Sequence, residues 1–198
     1  MKELLDRWYR QAEQVSPIRI RTLTRRKLVR MFGEYGLNKG AEIGVDRGRF
    51  SEYMLQQNPE MSLLLVDPWY WKLRGESRYK STVERMKAFG DRATIVRDES
   101  YRAVLDIPDE SLDFVYIDGN HTFDYVMTDI IWWATKVRMG GVVSGHDYYR
   151  FRRGGVVPAV DIYTQQHQIS KWFVTDERTP SWFWIREPSF ADTPEDQD

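Results

Sequence analysis

Five short apolar runs recur along the middle of the chain, separated by stretches with helical spacing, and this alternation restricts the fold more than any other feature. The runs are AEIGV from Ala41, SLLLVD from Ser62, ATIV from Ala93, LDFVYID from Leu112 and GVVSGHD from Gly141. Helical stretches fall near Arg49 to Gln57, Arg78 to Phe89, Tyr101 to Leu105 and Phe123 to Lys136. Strands covered on both faces lose polar alternation, and helices between them permit parallel pairing. The pattern predicts an α/β, doubly wound, mostly parallel Rossmann-like sheet. After a further helix near Pro158 to Gln166 come KWFVTDE and SWFWIRE, joined by Arg178, Thr179 and Pro180, which brings the expected count to seven strands. So short a link allows only an antiparallel hairpin at the C-terminal end.

Charge divides the chain into three parts. Residues 1–39 carry ten Lys or Arg against four acids and show helical spacing, so they read as a basic helical extension. Residues 40–187 form the α/β domain. Residues 188–198, acidic and rich in Pro, read as a flexible tail. The 198 residues as a whole carry 29 Lys or Arg and 30 Asp or Glu, which does not suggest a generic nucleic-acid binder. There is no cysteine, hence no disulfide, thiolate metal site or Cys nucleophile. The N-terminus mixes charges of both signs, unlike a signal peptide, and no apolar run approaches the roughly 20 residues of a membrane helix. A cytoplasmic protein without a membrane partner is expected.

In such a sheet ligands bind beyond the carboxyl ends of the strands, where strand order reverses. The first of the five runs ends in Glu42-Ile43-Gly44-Val45-Asp46-Arg47-Gly48, and the second ends at Asp67. A glycine turn with an acid at the next strand end suits a ligand with a ribose diol, and this fits both NAD and S-adenosylmethionine. Asp46 stands where a pyrophosphate binder favours glycine, whereas the sulfonium and ammonium of S-adenosylmethionine are attracted by Glu42 and Asp46.

EIGVDRGRFS, LLVDPW, SLDFVYIDGNHTFDYVMTDI, RMGGVVSGHDY and GVVPAVD, in this order, resemble the class I S-adenosylmethionine-dependent methyltransferases. More narrowly they resemble a group whose strand ends read IDG-x-H and GHDY, related to macrocin-type sugar O-methyltransferases. The resemblance implies that Glu42, Gly44 and Gly48 line the methionine moiety, that Asp67 holds the ribose, and that Glu99 and Ser100 flank the adenine. Asp118 is expected to border the cofactor as well.

Asp118 ends one strand and His146-Asp147 end its expected neighbour, so three ligand-type side chains meet at one rim. Two carboxylates and an imidazole suit a divalent cation. The resemblance implies a magnesium-like ion there; His146, where relatives have an acid, leaves Mg²⁺ and Mn²⁺ both open. Such an ion lowers the pKa of a substrate hydroxyl. His121, one turn beyond Asp118, either takes the acceptor's proton as general base or orients Asp118. Asp161 is a further acid that either reaches this rim or is solvated.

Absence of cysteine excludes the cytosine C5 methylation mechanism. The strand-end loop Asp118-Gly119-Asn120-His121 also differs from the D/N-P-P-Y/F loop of amine-methylating enzymes. The reading is an S-adenosylmethionine-dependent O-methyltransferase acting on a small hydroxylated molecule, such as a sugar or natural-product scaffold. A nucleic-acid methyltransferase and a non-catalytic cofactor-binding module are the alternatives. Trp69, Tyr70, Trp71, Tyr148, Tyr149 and Phe151 are candidates for a stacking platform, and Arg150, Arg152 and Arg153 for an anion-recognising lid. Trp132, Trp133, Trp172, Trp182 and Trp184 are expected in the core or a subunit interface of a homo-oligomer. Arg19, Arg21, Arg25, Arg26, Lys27 and Arg30 read as a solvated helix face rather than a phosphate stripe.

Overall fold

The computed structural model describes residues 1–12, 15–70, 74–152 and 154–188. The basic front supplies α1 (Lys2–Gln11), a strand β1 (Ile18–Ile20) and α2 (Arg25–Glu34). Next come β2 (Lys39–Ile43), α3 (Arg49–Gln57), β3 (Ser62–Val66), α4 (Gly75–Met86), β4 (Ala93–Val96) and α5 (Ser100–Ala103). The remainder is β5 (Leu112–Ile117), α6 (Phe123–Lys136), β6 (Val137–Gly145), α7 (Val156–Gln166), β7 (Trp172–Thr175) and β8 (Trp182–Ile185).

These strands form one sheet in the order β1-β7-β8-β6-β5-β2-β3-β4. The pairs from β4 through β6 are parallel, and β8 runs antiparallel to both β6 and β7. The expected doubly wound sheet and hairpin are present, with eight strands instead of seven. The added strand is β1, which pairs in parallel with β7 through Ile18 opposite Phe173. Residues 1–39 therefore contribute a strand and two helices, not helices alone. The tail from residue 189 lies outside the described residues.

Helices cover both faces, so the strands are apolar almost throughout. On one face Ile130 and Trp133 of α6 and Val160 of α7 pack on Val115 and Val143. On the other, Leu28, Val29 and Phe32 of α2 join Met54 and Leu55 of α3 against Leu63 and Phe114. Helix α2 starts at the cap Thr24, whose side chain accepts from the Lys27 N–H. That start fixes where Arg25 leaves the helix. Among the described residues no helix is long and apolar enough to cross a membrane.

Chain order reverses at β2, which lies between β3 and β5. The connections leaving the paired carboxyl ends of β2 and β5 diverge there and leave a crevice. Gly44 occupies this point with φ +92°, and a Cβ on it would stand 2.2 Å from the Asp118 carbonyl oxygen. Only glycine allows the two strand ends to approach so closely.

Candidate active site

A cavity of about 620 Å³ opens at this reversal point and extends from β4 past β2 to the end of β5. Of the residues expected to bind cofactor, Gly44, Asp46, Asp67, Glu99, Ser100 and Asp118 all line it. Glu42 and Gly48 are not among its lining residues. Gly48 is the left-handed residue that starts α3, at φ +70°. Glu42 faces inward from β2, 2% exposed, and accepts a hydrogen bond from the Ser51 hydroxyl. Ile43, next to it on β2, lines the cavity instead, since neighbouring side chains on a strand point to opposite faces.

Burial pushes the Glu42 carboxyl up to about 8, against an ordinary 4.5, although the Ser51 hydrogen bond opposes this. A carboxyl raised on folding stabilises the native state most at low pH, and that contribution fades as pH rises through the native value. Relative to Glu42→Gln, wild type is expected to lose stability progressively between pH 4.5 and about 8. Urea midpoints of the two proteins across that range test this, and a constant difference would count against a buried neutral Glu42.

Asp67 organises the turn directly. Its Oδ2 accepts from the Val45 and Asp46 amides, both at 3.0 Å, and its Oδ1 from the Trp69 amide at 2.7 Å. A carboxylate accepts about four hydrogen bonds, so capacity for a ribose hydroxyl remains. Asp46 pairs with Arg78 at 2.6 Å. Trp69, expected as a substrate platform, is instead 3% exposed and donates its indole N–H to the Asp46 carbonyl at 2.7 Å. It braces the turn while still bordering the cavity, which the exposed Tyr70 also lines. Trp71 and Arg153 lie outside the described residues.

At the other end, Asp118, His121 and Asp147 each place a ligand-type atom within 4.8 Å of the others. His121 Nε2 lies 3.5 Å from Asp118 Oδ1 and 3.1 Å from Asp147 Oδ2. The hydrogen bond to Asp118 leads the effects that raise the His121 pKa, outweighing burial, with the Asp147 charge adding to it. Burial tends to raise the Asp147 pKa, but the His146 hydrogen bond and the nearby positive groups bring it below the ordinary value.

His146, expected as a metal ligand, is oriented differently. Arg25 Nη1 lies 3.4 Å from its Nε2, and Thr179 Oγ1 is also 3.4 Å from that nitrogen. A guanidinium only donates, so Nε2 is the acceptor and the ring proton sits on Nδ1. Nδ1 is 3.2 Å from Asp147 Oδ1 and 3.7 Å from Asp118 Oδ1. His146 thus orients Asp147, and His121 is the imidazole that joins the compact cluster.

Arg25 itself is an unexpected neighbour, reaching from α2 to 3.9 Å from Asp118 Oδ2 and lying 4.7 Å from the Phe50 ring centre. A basic run in sequence does not reveal which of its members turns inward. Asp129, missed as well, lines the cavity from α6 and is 6% exposed. Its signal was present in the sequence, because an acid at helical spacing among Val126, Ile130 and Trp133 interrupts an apolar face. Asp161 accepts from the Tyr148 hydroxyl at 2.6 Å.

Among the described residues the cavity lining includes five carboxylates, Asp46, Asp67, Glu99, Asp118 and Asp129, against Arg78 as the one Lys or Arg. That balance suits a cationic ligand and disfavours a pyrophosphate. The donor chemistry of Asp118, His121 and Asp147 also fits a divalent ion.

A methyltransferase domain family model matches residues 41–148. An uncharacterized protein of Acanthamoeba polyphaga mimivirus is 27% identical over 136 residues, covering 66% of this chain and 61% of that protein. The match therefore spans less than two thirds of the curated relative. An O-methyltransferase from Bacillus cereus, solved in complex with SAH, superposes with a TM-score of 0.61 at 13% identity, covering 93% of this chain and 90% of that one. An rRNA methylase from Streptococcus thermophilus gives 0.61 at 10% identity, covering 82% and 96%. At such identities the likeness concerns the fold alone.

Proposed function

The chain belongs to the methyltransferase domain family that matches its residues 41–148, a class that uses S-adenosylmethionine, and from that premise we propose that it is a metal-assisted O-methyltransferase for a small hydroxylated molecule. One observation carries the reading: an acidic cavity at the reversal point of the sheet ends at the Asp118, His121 and Asp147 cluster. Residues 40–187 would form the catalytic domain, with the basic front closing over it and Arg25 reaching the rim.

Gly44 and Asp46 would face the methionine part of the cofactor, Asp67 the ribose, and Glu99 and Ser100 the base. Bound there, S-adenosylmethionine supplies a methyl group on a sulfonium, to be taken by a nucleophilic oxygen with release of the thioether. Asp118 and Asp147 would hold a hard ion such as Mg²⁺ or Mn²⁺, which prefers oxygen donors and keeps waters or substrate as its other ligands. The ion's contribution is to acidify the acceptor hydroxyl. His121 Nε2, beside both carboxylates, would take the hydroxyl proton, which requires its neutral form. His146 holds Asp147 in place through Nδ1, and Arg25 fixes the His146 tautomer. A sugar or natural-product scaffold is the proposed acceptor class, consistent with the narrower resemblance to macrocin-type enzymes.

Calorimetric titration with S-adenosylhomocysteine tests the cofactor assignment. Binding is expected, with none for NADH; binding of NADH alone would overturn it. A nucleic-acid acceptor is the second reading, favoured by Arg25 entering the rim from a helix that also carries Arg26, Lys27 and Arg30. A salt-dependent shift of labelled RNA, abolished by neutralising Arg26 and Arg30, would select it. Binding of S-adenosylhomocysteine without methyl transfer to either acceptor class would instead mark a non-catalytic module.

A further inference from the structure

Asp129 is a charged side chain on the buried face of α6, and packing alone gives it no role. Val126, Ile130 and Trp133, its neighbours on that face, are at most 3% exposed. A carboxylate in such a place requires partners. It has one on Oδ1: the Ser100 hydroxyl, which is 2.7 Å from the Trp133 indole nitrogen.

The polarity of this relay is fixed. An indole N–H only donates, so Ser100 Oγ accepts from Trp133 and must turn its own proton to Asp129 Oδ1. Oδ2 is left over and points along the cavity wall beside Gly119, where a Cβ would stand 3.7 Å from it. Among the described residues no hydrogen bond to Oδ2 is recorded. The sheet order dictates which part of a cofactor reaches it. From Gly44 at the end of β2, through Asp67 at β3, the wall leads to Glu99 and Ser100 after β4, so the base end of an adenosyl ligand meets Ser100 and Asp129.

Adenine offers one hydrogen-bonding group that donates, the 6-amino group; N1, N3 and N7 all accept. A free carboxylate oxygen can pair only with the amine. We propose that Asp129 is the specificity determinant of the cofactor pocket, its Oδ2 accepting from the 6-amino group of adenine while Ser100 and Trp133 hold the carboxylate in register. This rests on the cofactor assignment above and adds a discrimination that the assignment does not contain. Burial raises the Asp129 pKa to about 6, so at pH 8 the group is ionised and purely an acceptor.

The relay also determines what a substitution does. In Asp129→Asn, the Ser100 proton still needs an acceptor and holds the amide oxygen on its side. The amide N–H₂ then occupies the place of Oδ2 and donates into the pocket. It would repel the 6-amino group of adenine and pair with the 6-oxo group of hypoxanthine.

The experiment is calorimetry at pH 8 with S-adenosylhomocysteine and S-inosylhomocysteine on the full chain. Wild type is expected to favour the adenosyl ligand by about ten- to hundredfold, the range for a hydrogen bond to a charged group. Asp129→Asn is expected to weaken the adenosyl ligand by a similar factor and to bind the inosyl ligand more tightly than wild type does. A merely structural Asp129 would weaken both ligands alike, and that result overturns the proposal. Wild-type affinities within roughly threefold of each other would overturn it without any variant. If wild type binds neither ligand, the cofactor assignment fails first, so the two failures are distinguishable.

Discussion

Asp147→Asn is expected to lower turnover by about 10²- to 10⁴-fold, the range for losing a positioned acid-base or ion-binding group, while leaving S-adenosylhomocysteine affinity nearly unchanged. Asp147 has φ +57°, a left-handed backbone that asparagine tolerates and alanine does not, so the amide isolates the loss of charge from strain. The His146 Nδ1–H retains an oxygen to donate to, and the loop keeps its shape. One of the two carboxylates of the proposed ion site loses its charge, and His121 loses a partner now 3.1 Å away. Asp147 is not among the cavity-lining residues, unlike Asp118, so cofactor affinity reports separately from chemistry. Steady-state rates across a Mg²⁺ and Mn²⁺ series, with calorimetry on the same preparations, make the comparison. Full activity in excess chelator, together with a variant within roughly tenfold of wild type, would remove the ion from the mechanism.

The features legible in the sequence share a physical basis. The parallel strands β2, β3, β5 and β6 are mostly buried and apolar on both faces, which shows as continuous runs. The short β7–β8 link permits a single connection. The strand-end residues Gly44, Asp67, Ser100 and Asp118 reach one cavity because the topology of a doubly wound sheet brings strand ends together. What was not legible depends on side-chain direction or on pairing at the sheet edge. Strand β1 is three residues, Ile18, Arg19 and Ile20, too short to carry a period and defined by its partner β7. His121 and His146 are both adjacent to the carboxylates in sequence, and their division of roles depends on Arg25, more than 90 residues away. Glu42 and Ile43 are neighbours in one motif, yet only Ile43 lines the cavity, because successive side chains on β2 point to opposite faces. Trp69 follows a strand end and borders the cavity, yet the hydrogen bond to the Asp46 carbonyl buries its ring and leaves the exposed face to Tyr70.

Gly44→Ala is expected to destabilise the fold by about 3–5 kcal/mol and to abolish cofactor binding, the larger consequence for a methyl-sized change. Two penalties coincide. The residue sits at φ +92°, and its Cβ would meet the Asp118 carbonyl oxygen at 2.2 Å and Gly119 Cα at 2.5 Å. Both are backbone atoms that cannot swing aside, and the Asp118 amide is tied to the Ile43 carbonyl at 2.7 Å. Relief requires β2 and β5 to separate where the cavity begins, which moves Asp67's amide partners on one side and Asp118 on the other. Gly48→Ala, four residues away, is the matched control. It shares the left-handed backbone at φ +70°, but its Cβ would meet the Thr82 side chain, with Cγ2 at 3.1 Å. Its nearest backbone atom is Thr82 Cα at 3.3 Å, more than 1 Å farther than the Asp118 oxygen is from a Cβ on Gly44, so the cost is mainly the left-handed penalty of about 1–2 kcal/mol, with binding retained. Denaturant midpoints and S-adenosylhomocysteine titrations on both variants separate the effects. Equal losses would trace the defect to backbone conformation alone, whereas a folded Gly44→Ala with wild-type affinity would show that the cofactor does not use this turn.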